Sequence, residues 1–363
     1  MEKFTEDLHE YLKPFWKTNK IVNETFMFVG EEDEAEFLFT PTGILSVTDY
    51  GKTKTYTEGK DYVISGKKIK RLSSSKIPYI KKDDYYVDTY ETFGIGVCER
   101  ICKEYGKQKY LTFGECNTFT DRQIAVTYLK EEEWKGSVPQ GKSEKFKNTL
   151  EKLVKGEKIK FLFYGDSITT GCNASGMAQG GNVPPYAPPF DKQVCDYLTE
   201  KYGAEIERIN TAVGGMNTKW GVDNLEERVI AYNPDIVFIA FGMNDPVTTQ
   251  KDYEDMIVNM TERIRSANPK AEIMLASSIL PNTEANEGWF ANQRLFYENL
   301  LAIEKRYGFV GTADITTMHK DILSAGKRYK DMTGNNINHP NDFLIRLYSQ
   351  VILTTLIGKD FNL

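Results

Sequence analysis

Hydrophobic and polar residues alternate in short runs through the first third of the chain. β-Branched and aromatic residues dominate these runs, and Gly, Pro, Asp and Lys separate them. The clearest runs are Glu36–Thr40, Ile44–Thr48, Asp61–Ile64 and Gln123–Tyr128. Closely spaced runs of this kind predict a small antiparallel β-sandwich, jelly-roll-like in type. A short amphipathic helix carrying Leu8, Leu12 and Phe15 is expected before it.

The pattern changes to alternating strands and helices in the second half of the chain. The predicted strands are Ile159–Tyr164, Ile206–Asn210, Asp235–Phe241, Glu272–Ser278 and Phe309–Ala313. Between and after them, residues with helical spacing predict helices that end at Gly203, begin near Thr218, end before Pro269, pass through Leu300 and begin near Asn341. This alternation predicts an α/β fold with a parallel sheet covered by helices on both faces.

The change in pattern also divides the chain of 363 residues into about two domains. Residues 1–135 are expected to form the N-terminal helix and β-sandwich as a smaller accessory domain. Residues 136–156 are polar and Lys-rich and predict a linker with one helix. Residues 157–363 would then form the α/β domain.

Charge and composition indicate which partners and which cellular location to expect. The formal net charge of -6 argues against nucleic acid or an anionic membrane as a partner. No apolar run approaches the ~20 residues of a membrane span. The acidic start of the chain lacks a signal-peptide pattern, and five cysteines without paired spacing fit reduced thiols, so a cytoplasmic protein is expected. Whether the chain is a homo-oligomer stays open.

Four short motifs carry the candidate chemistry. They are Gly165-Asp166-Ser167, Asn210–Gly215, Gly242–Asp245 and Asn338-His339-Pro340. The first three begin where predicted strands stop, and ligands of such sheets bind beyond the carboxyl ends of the strands. The fourth precedes the last helix, so its loop could return to the same edge. The sequence therefore predicts one site built from all four.

The residue types in these motifs suit acyl transfer. Ser167 can act as nucleophile if a base lies beside it, and His339 has a better context for that base than His9 in the N-terminal helix or His319 near a surface helix. Gly215 can present a backbone N–H and Asn244 a side-chain N–H to an oxyanion. Each motif also has a plain structural interpretation, such as a helix cap or a tight turn.

These four motifs resemble the conserved blocks of the SGNH or GDSL hydrolases over about residues 157–360. The resemblance implies a flavodoxin-like α/β fold and a serine esterase. It places Ser167 as nucleophile and His339 as base, with the N–H groups of Ser167 and Gly215 and the side chain of Asn244 as oxyanion donors. It also implies that neither a cofactor nor a metal is needed.

The last motif departs from the family pattern. The family usually has Asp three residues before the histidine, where this chain has Asn336. Asn cannot carry the charge that would stabilise an imidazolium, and the matching change in a protease triad lowered kcat about 10⁴-fold. His339 could instead be oriented by Asn336 itself, by Asp331 or by a backbone carbonyl, or work in a Ser–His dyad. Some carbohydrate esterases of the family are similar in lacking this Asp.

The loops around the site suggest the substrate. Residues 172–189, which follow the nucleophile, are rich in Gly and Pro and carry Tyr186, and a polar stretch farther along contains Trp289. Together with Asp166, these two aromatic residues are the candidate substrate contacts. Since the β-rich half resembles the accessory domain of carbohydrate esterases, we expect an acylated carbohydrate as substrate. The expected reaction removes an acetyl or similar small acyl group from an imported oligosaccharide.

Two other functions remain compatible with the sequence. A lipid esterase or thioesterase would use the same machinery but would need an apolar acyl groove, whereas the loop after the nucleophile is polar. A non-catalytic carbohydrate-binding protein is the second alternative, because Asn336 replaces the usual acid.

Overall fold

The computed structural model of the protein describes residues 3–88, 97–102, 107–285 and 291–361. For residues 97–102, 107, 108 and 360 only the backbone is described. Within these ranges no helix is both long enough and apolar enough to cross a membrane.

The N-terminal region is built from small antiparallel sheets. Its helices are α1 (Leu8–Tyr11) and α2 (Lys82–Tyr85). Its strands are β1 (Lys20–Met27), β2 (Glu34–Glu36), β3 (Gly43–Asp49), β4 (Tyr62–Ser65), β5 (Lys68–Arg71), β6 (Tyr86–Val87), β7 (Val97–Cys102), β8 (Lys107–Thr112) and β9 (Gln123–Leu129). They form three sheets with the orders β1-β9-β3, β2-β5-β4 and β6-β8-β7. The prediction of an antiparallel β-rich region before the α/β fold is confirmed.

The second half contains one parallel sheet of five strands in the order β11-β10-β12-β13-β14. The strands are β10 (Ile159–Gly165), β11 (Ile206–Asn210), β12 (Ile236–Ala240), β13 (Glu272–Ala276) and β14 (Val310–Ala313). The helices are α3 (Lys147–Lys155), α4 (Phe190–Tyr202), α5 (Thr218–Asp223), α6 (Leu225–Arg228), α7 (Gln250–Ala267), α8 (Phe296–Arg306), α9 (Ile315–Ser324), α10 (Tyr329–Met332) and α11 (Asp342–Ile357). The predicted flavodoxin-like fold is confirmed.

Alternate residues of the central strands enter two different hydrophobic clusters. Phe161 and Phe163 of β10 face the cluster that includes α4 and α11. Leu162 and Tyr164 face the cluster that includes α7 and α8. This is the period of two expected for a strand with both faces buried. The first cluster also contains Phe26 and other core residues of the N-terminal sheets, so the two halves share a core.

Helix ends follow capping chemistry close to the predicted positions. Gly203 ends α4 in the left-handed conformation, as its position after the periodic residues predicts. Asn341 caps α11 by accepting a hydrogen bond from the N–H of Leu344. α5 begins at Thr218, and Asn217 caps it by accepting a hydrogen bond from the N–H of Trp220.

A buried ion pair joins the two halves of the molecule. Lys327, which precedes α10, contacts Glu24 of β1 at 2.8 Å, and both side chains are fully buried. The oxygens of Glu24 also accept from the N–H of Leu38 and the hydroxyl of Tyr128, so the buried carboxylate has two hydrogen-bond donors besides the lysine. The N-terminal sheets are therefore held in a fixed position against the α/β half.

Candidate active site

The nucleophile motif begins at the end of β10, where the chain passes close to its neighbour β12. A Cβ atom on Gly165 would lie 2.4 Å from the carbonyl oxygen of Ala240, so only glycine fits there. The chain then turns, and the carbonyl of Ser167 accepts hydrogen bonds from the N–H of Cys172 and the hydroxyl of Thr170. These contacts fix Ser167 just beyond the carboxyl end of the central strand.

His339 lies beside Ser167, as the motifs predict. Its Nε2 is 2.8 Å from Ser167 Oγ although the two residues are 172 positions apart. Both residues are largely buried, with 8% of His339 and 7% of Ser167 exposed. The loop that carries His339 is held by Asn335, whose Oδ1 accepts from the N–H groups of residues 337, 338 and 339 at 3.0 Å each. When Nε2 accepts the serine proton, Nδ1 must carry the other ring hydrogen.

Two acceptors face Nδ1 of His339. Glu115 Oε2 lies at 3.0 Å and Asn173 Oδ1 at 2.9 Å. Glu115 belongs to the loop between β8 and β9 of the N-terminal region. The sequence did not point to it, because nothing in the loop resembles a catalytic motif. Asn173 lies in the polar loop after the nucleophile and has a left-handed backbone, with φ at 64°, which Asn tolerates better than most residues.

The two residues predicted to orient His339 have other partners, which corrects that expectation. Asn336 adopts φ 70°, donates from Nδ2 to the carbonyl of Thr112 and accepts from the hydroxyl of Tyr85. Asp331 accepts from the N–H of Met27 and pairs with Arg328. Both side chains bind the N-terminal region instead of the imidazole.

The motifs that carry Gly215 and Asn244 meet at the same edge of the sheet. A Cβ atom on Gly214 would lie 3.7 Å from Ser167 Cβ, so this loop passes directly beside the nucleophile. Gly215 adopts φ 77°, a conformation that favours glycine. Asn244 donates from Nδ2 to the carbonyl of Met216 at 3.0 Å. The loops after β10, β11 and β12 are thus locked together around Ser167, as predicted.

The pKa values of two carboxyl groups near the site, Asp166 and Glu115, differ from their ordinary values. Burial raises the pKa of Asp166 to about 7, against opposing contributions from the N–H of Ile168 and the positive charge of His339. Burial also raises the pKa of Glu115, but the hydrogen bond and charge of His339 and the amide of Asn335 together hold that pKa below its usual value. Near neutral pH, Glu115 is therefore the ionised carboxylate that faces the imidazole.

The three predicted substrate contacts have different outcomes. Asp166 is buried and accepts from the N–H of Ile168, so it supports the turn and does not present its carboxyl to a substrate, which corrects the prediction. Tyr186 lines a cavity of about 770 Å³ together with Phe4 and Lys192, among other residues. The described residues that line this cavity do not include Ser167, Gly215, Asn244 or His339. Trp289 lies outside the described residues.

The other two histidines are remote from this chemistry. His9 in α1 contacts Glu200 at 3.4 Å. His319 lies in α9 with its side chain fully buried, and its Nδ1 accepts from the N–H of Leu280. Burial lowers the pKa of His319 to about 3, so it stays neutral. His339 is the histidine whose ring contacts the serine.

Comparisons with known proteins place this arrangement in a family. Residues 163–343 match the GDSL-like lipase/acylhydrolase family. A two-domain esterase (CEX) active on acetylated mannans, co-crystallised with mannopentaose, is 20% identical and has a TM-score of 0.47, with 60% of this chain and 54% of that chain covered. The match thus spans about half the length of that two-domain esterase.

Two further solved structures are similar. A catalytic mutant of Axe2, an acetylxylan esterase from Geobacillus stearothermophilus, is 19% identical with a TM-score of 0.45, and the match covers 56% of this chain and 95% of that chain. LAE5, an α/β hydrolase enzyme from the metagenome of Lake Arreo, Spain, is 15% identical with a TM-score of 0.45, covering 55% and 95%. No curated protein matches the chain.

The four motifs fall inside the matched residues, with Ser167 near the start of the match and His339 near its end. Through residues 163–343 the chain therefore matches the GDSL-like lipase/acylhydrolase family.

Proposed function

We propose that this protein is a serine esterase that removes an acetyl or another small acyl group from a carbohydrate. The observation that supports the proposal best is the 2.8 Å contact between Ser167 Oγ and His339 Nε2. This contact lies at the edge of the sheet where the loops of Gly215 and Asn244 also meet. A nucleophile, a base and candidate oxyanion donors at one place are the parts that acyl transfer requires.

The proposed reaction proceeds through an acyl-enzyme. His339 Nε2 takes the hydroxyl proton of Ser167 while Oγ attacks the ester carbonyl, and the N–H groups of Ser167 and Gly215 and the amide of Asn244 stabilise the oxyanion. The bond to the sugar oxygen then breaks, and His339 returns the proton to that oxygen. Water then attacks the carbonyl of the acyl-enzyme and gives a proton to His339. The bond to Ser167 Oγ breaks as His339 returns that proton to Oγ, which releases the free acid and regenerates Ser167.

The surroundings of Ser167 favour a short acyl group and a polar leaving group. The described contacts around it are small or polar: Gly214 approaches its Cβ, Thr170 donates to its carbonyl, and Glu115 contacts the ring of His339 that faces it. A long apolar chain would lie against polar groups here and would gain little from burial. A sugar alcohol, in contrast, can exchange hydrogen bonds with such groups.

The test is mass spectrometry of acetylated xylan and mannan oligosaccharides after incubation with wild-type protein and with Ser167→Ala. We expect the wild type to remove acetyl masses from at least one of the two substrates and the variant to match the buffer control. Equal deacetylation by both proteins would refute the role of Ser167. If neither protein acts on any ester, the non-catalytic binding function is favoured instead.

The same machinery could serve a lipid esterase or thioesterase. A series of nitrophenyl esters from acetyl to palmitoyl separates the two functions. We expect kcat/KM to be highest for the acetyl or propionyl ester and to fall with chain length. A preference for octanoyl or longer chains would favour the lipid esterase.

A further inference from the structure

We propose that Glu115, supplied by the N-terminal β-rich region, is a positioning residue that orients the imidazole of His339 and stabilises its protonated form. It would take the role of the acidic residue that related proteins carry in the last motif. The inference rests on the proposed function, because His339 must act as a base for the role to matter. It also assigns a function to the N-terminal region, namely completion of the active site.

The carboxylate of Glu115 is held in place from two directions. One oxygen, Oε2, lies 3.0 Å from His339 Nδ1, and the other, Oε1, accepts from Asn335 Nδ2 at 3.2 Å. Asn335 is the residue that organises the His339 loop through its own Oδ1. The carboxylate of Glu115 is therefore positioned by the loop that carries His339 as well as by the imidazole ring. Its side chain is 43% exposed, so solvent screens part of its charge.

The backbone on both sides of Glu115 is also anchored to the α/β half. Asn336 Nδ2 donates to the carbonyl of Thr112, and the N–H of Gly114 donates to the carbonyl of Asn335. After Glu115, the carbonyl of Cys116 accepts from Asn173 Nδ2 at 2.9 Å. Asn336, which replaces the usual Asp, thus holds the loop that delivers another carboxylate to His339.

Asn173 and Glu115 have different roles at Nδ1 of His339. Asn173 is buried and neutral, and its Oδ1 can fix the ring tautomer but cannot balance a positive charge. Its place depends on Gly334, where a Cβ atom would lie 2.5 Å from Asn173 Cβ. Glu115 supplies the charge that favours the imidazolium formed during each proton transfer. Loss of Glu115 should therefore lower the rate without misplacing the ring.

The titratable groups that face His339 are few among the described residues. They are Glu115 from the β8–β9 loop and Asp166 from the nucleophile turn, with the thiol of Cys172 close to both. Burial raises the pKa of Asp166 to about 7 and raises the pKa of Cys172, so both are mainly neutral in mildly acidic solution. Glu115, whose pKa lies below its usual value, stays ionised there. Glu115 therefore keeps a negative charge beside the imidazole in that range, and its removal should move the acid limb of the activity profile.

The first test compares Glu115→Gln with the wild type on nitrophenyl acetate across pH. Gln keeps the shape and an acceptor oxygen but removes the charge. We expect kcat/KM to fall about tenfold to hundredfold, less than in a protease triad because Asn173 still fixes the tautomer. Since an uncompensated imidazolium loses its proton more readily, the acid limb should move to lower pH by roughly one unit. Glu131→Gln, an exposed control in the same region, should match the wild type.

Chemical rescue separates positioning from a structural role. Formate added to Glu115→Ala should restore part of the lost activity, whereas chloride at the same ionic strength should not. A Glu115→Gln protein that matches Glu131→Gln in both rate and acid limb would overturn the inference. So would a loss of activity with an unmoved acid limb and no rescue by formate, because that pattern indicates a folding defect.

A readout without turnover separates this inference from the proposed function. The imidazole of His339 can be titrated by NMR with isotope-labelled histidine in Ser167→Ala and in Ser167→Ala with Glu115→Gln. We expect the second protein to lose its imidazole proton at a pH about one unit lower. An unchanged titration overturns the role of Glu115 whether or not the protein hydrolyses esters. Inactivity of the wild type toward every ester would instead overturn the proposed function alone.

Discussion

The side chain of Asn244 has two amide hydrogens, and one is used to bind the carbonyl of Met216. We expect the other to stabilise the oxyanion, so Asn244→Ala should lower kcat about 100- to 1000-fold, or about 2.7–4 kcal/mol. The measurement is steady-state kinetics on nitrophenyl acetate. Asn268→Ala is the matched control, because Asn268 donates to the carbonyl of Pro234 away from the site and its loss should leave kcat unchanged. Equal kcat values for both variants would contradict the prediction.

The raised pKa of Asp166 predicts how the free energy of unfolding depends on pH. Its pKa is about 7 in the folded protein, against an ordinary value of 3.8. Between these values the folded state keeps a proton that the unfolded state has released, so this group makes the free energy of unfolding fall as pH rises. The slope is about 1.4 kcal/mol per pH unit, and it vanishes above the folded pKa.

Asp166→Asn removes this titration. We expect the variant to gain stability relative to the wild type as pH rises from about 5 to about 7, with a constant difference above that. Urea unfolding at several pH values measures it, and other buried carboxyls cancel because they titrate in both proteins. A stability difference independent of pH would show that Asp166 is ionised throughout.

Sequence motifs could predict the residues of the site that lie directly after strands. They could not predict Glu115 and Asn173, the acceptors that face Nδ1 of His339. Ser167 and Asn244 follow apolar strands that are easily recognised, and His339 precedes a strongly apolar helix. Glu115 is 224 positions away from His339 in the chain, in a loop whose location depends on long-range sheet pairing. The carboxylate that the last motif lacks is supplied from a different part of the fold.

At the scale of elements, the parallel sheet was predictable because its strands are continuous apolar runs. β11 has the predicted bounds, β12 is one residue shorter at each end, and the other three strands differ by one or two residues at one end. The N-terminal pairing was not predictable in the same way. β9 pairs with β1 and β3, and these partners are separated by many intervening residues that carry no pairing signal. The bounds of α9 were not predicted, because its buried face includes the polar residues Thr316 and His319.

The close contact between β10 and β12 gives a prediction for the nucleophile turn. Gly165→Ala would place a methyl group 2.4 Å from the carbonyl oxygen of Ala240 and from Thr169 Oγ1. Because one neighbour is a backbone atom of the paired strand and the other, Thr169, is fully buried, we expect a loss of about 1–3 kcal/mol in the free energy of unfolding. Gly308→Ala is the control, since a Cβ atom there has no described atom within 4 Å. Urea denaturation should leave the control unchanged, and equal midpoints would contradict the packing.

For the whole molecule, the sequence predicted two regions with different patterns but not their common core. The buried pair of Lys327 and Glu24 shows how closely they are joined. Lys327→Met would leave the Glu24 carboxylate buried without its cation, which should cost about 3–5 kcal/mol of stability. Thermal and urea unfolding measure this loss. If Lys327→Met kept wild-type stability, the pair would not be buried as the structure shows.

Two controls sharpen that measurement. Adding Glu24→Gln to Lys327→Met removes the unpaired charge but keeps an acceptor for Leu38 and Tyr128, so it should recover part of the stability. Asp223→Ala breaks an exposed pair with Lys219 and should change stability by about 1 kcal/mol or less.

The covalent step on Ser167 is open to direct measurement. Wild-type protein is mixed rapidly with nitrophenyl acetate, quenched in acid and digested, and the peptides are weighed by mass spectrometry. We expect the peptide that contains Ser167 to gain the mass of one acetyl group in the wild type, and no peptide to gain it in Ser167→Ala. Ester hydrolysis by the wild type with the acetyl group on another residue, or at an unchanged rate in Ser167→Ala, would contradict the proposed mechanism.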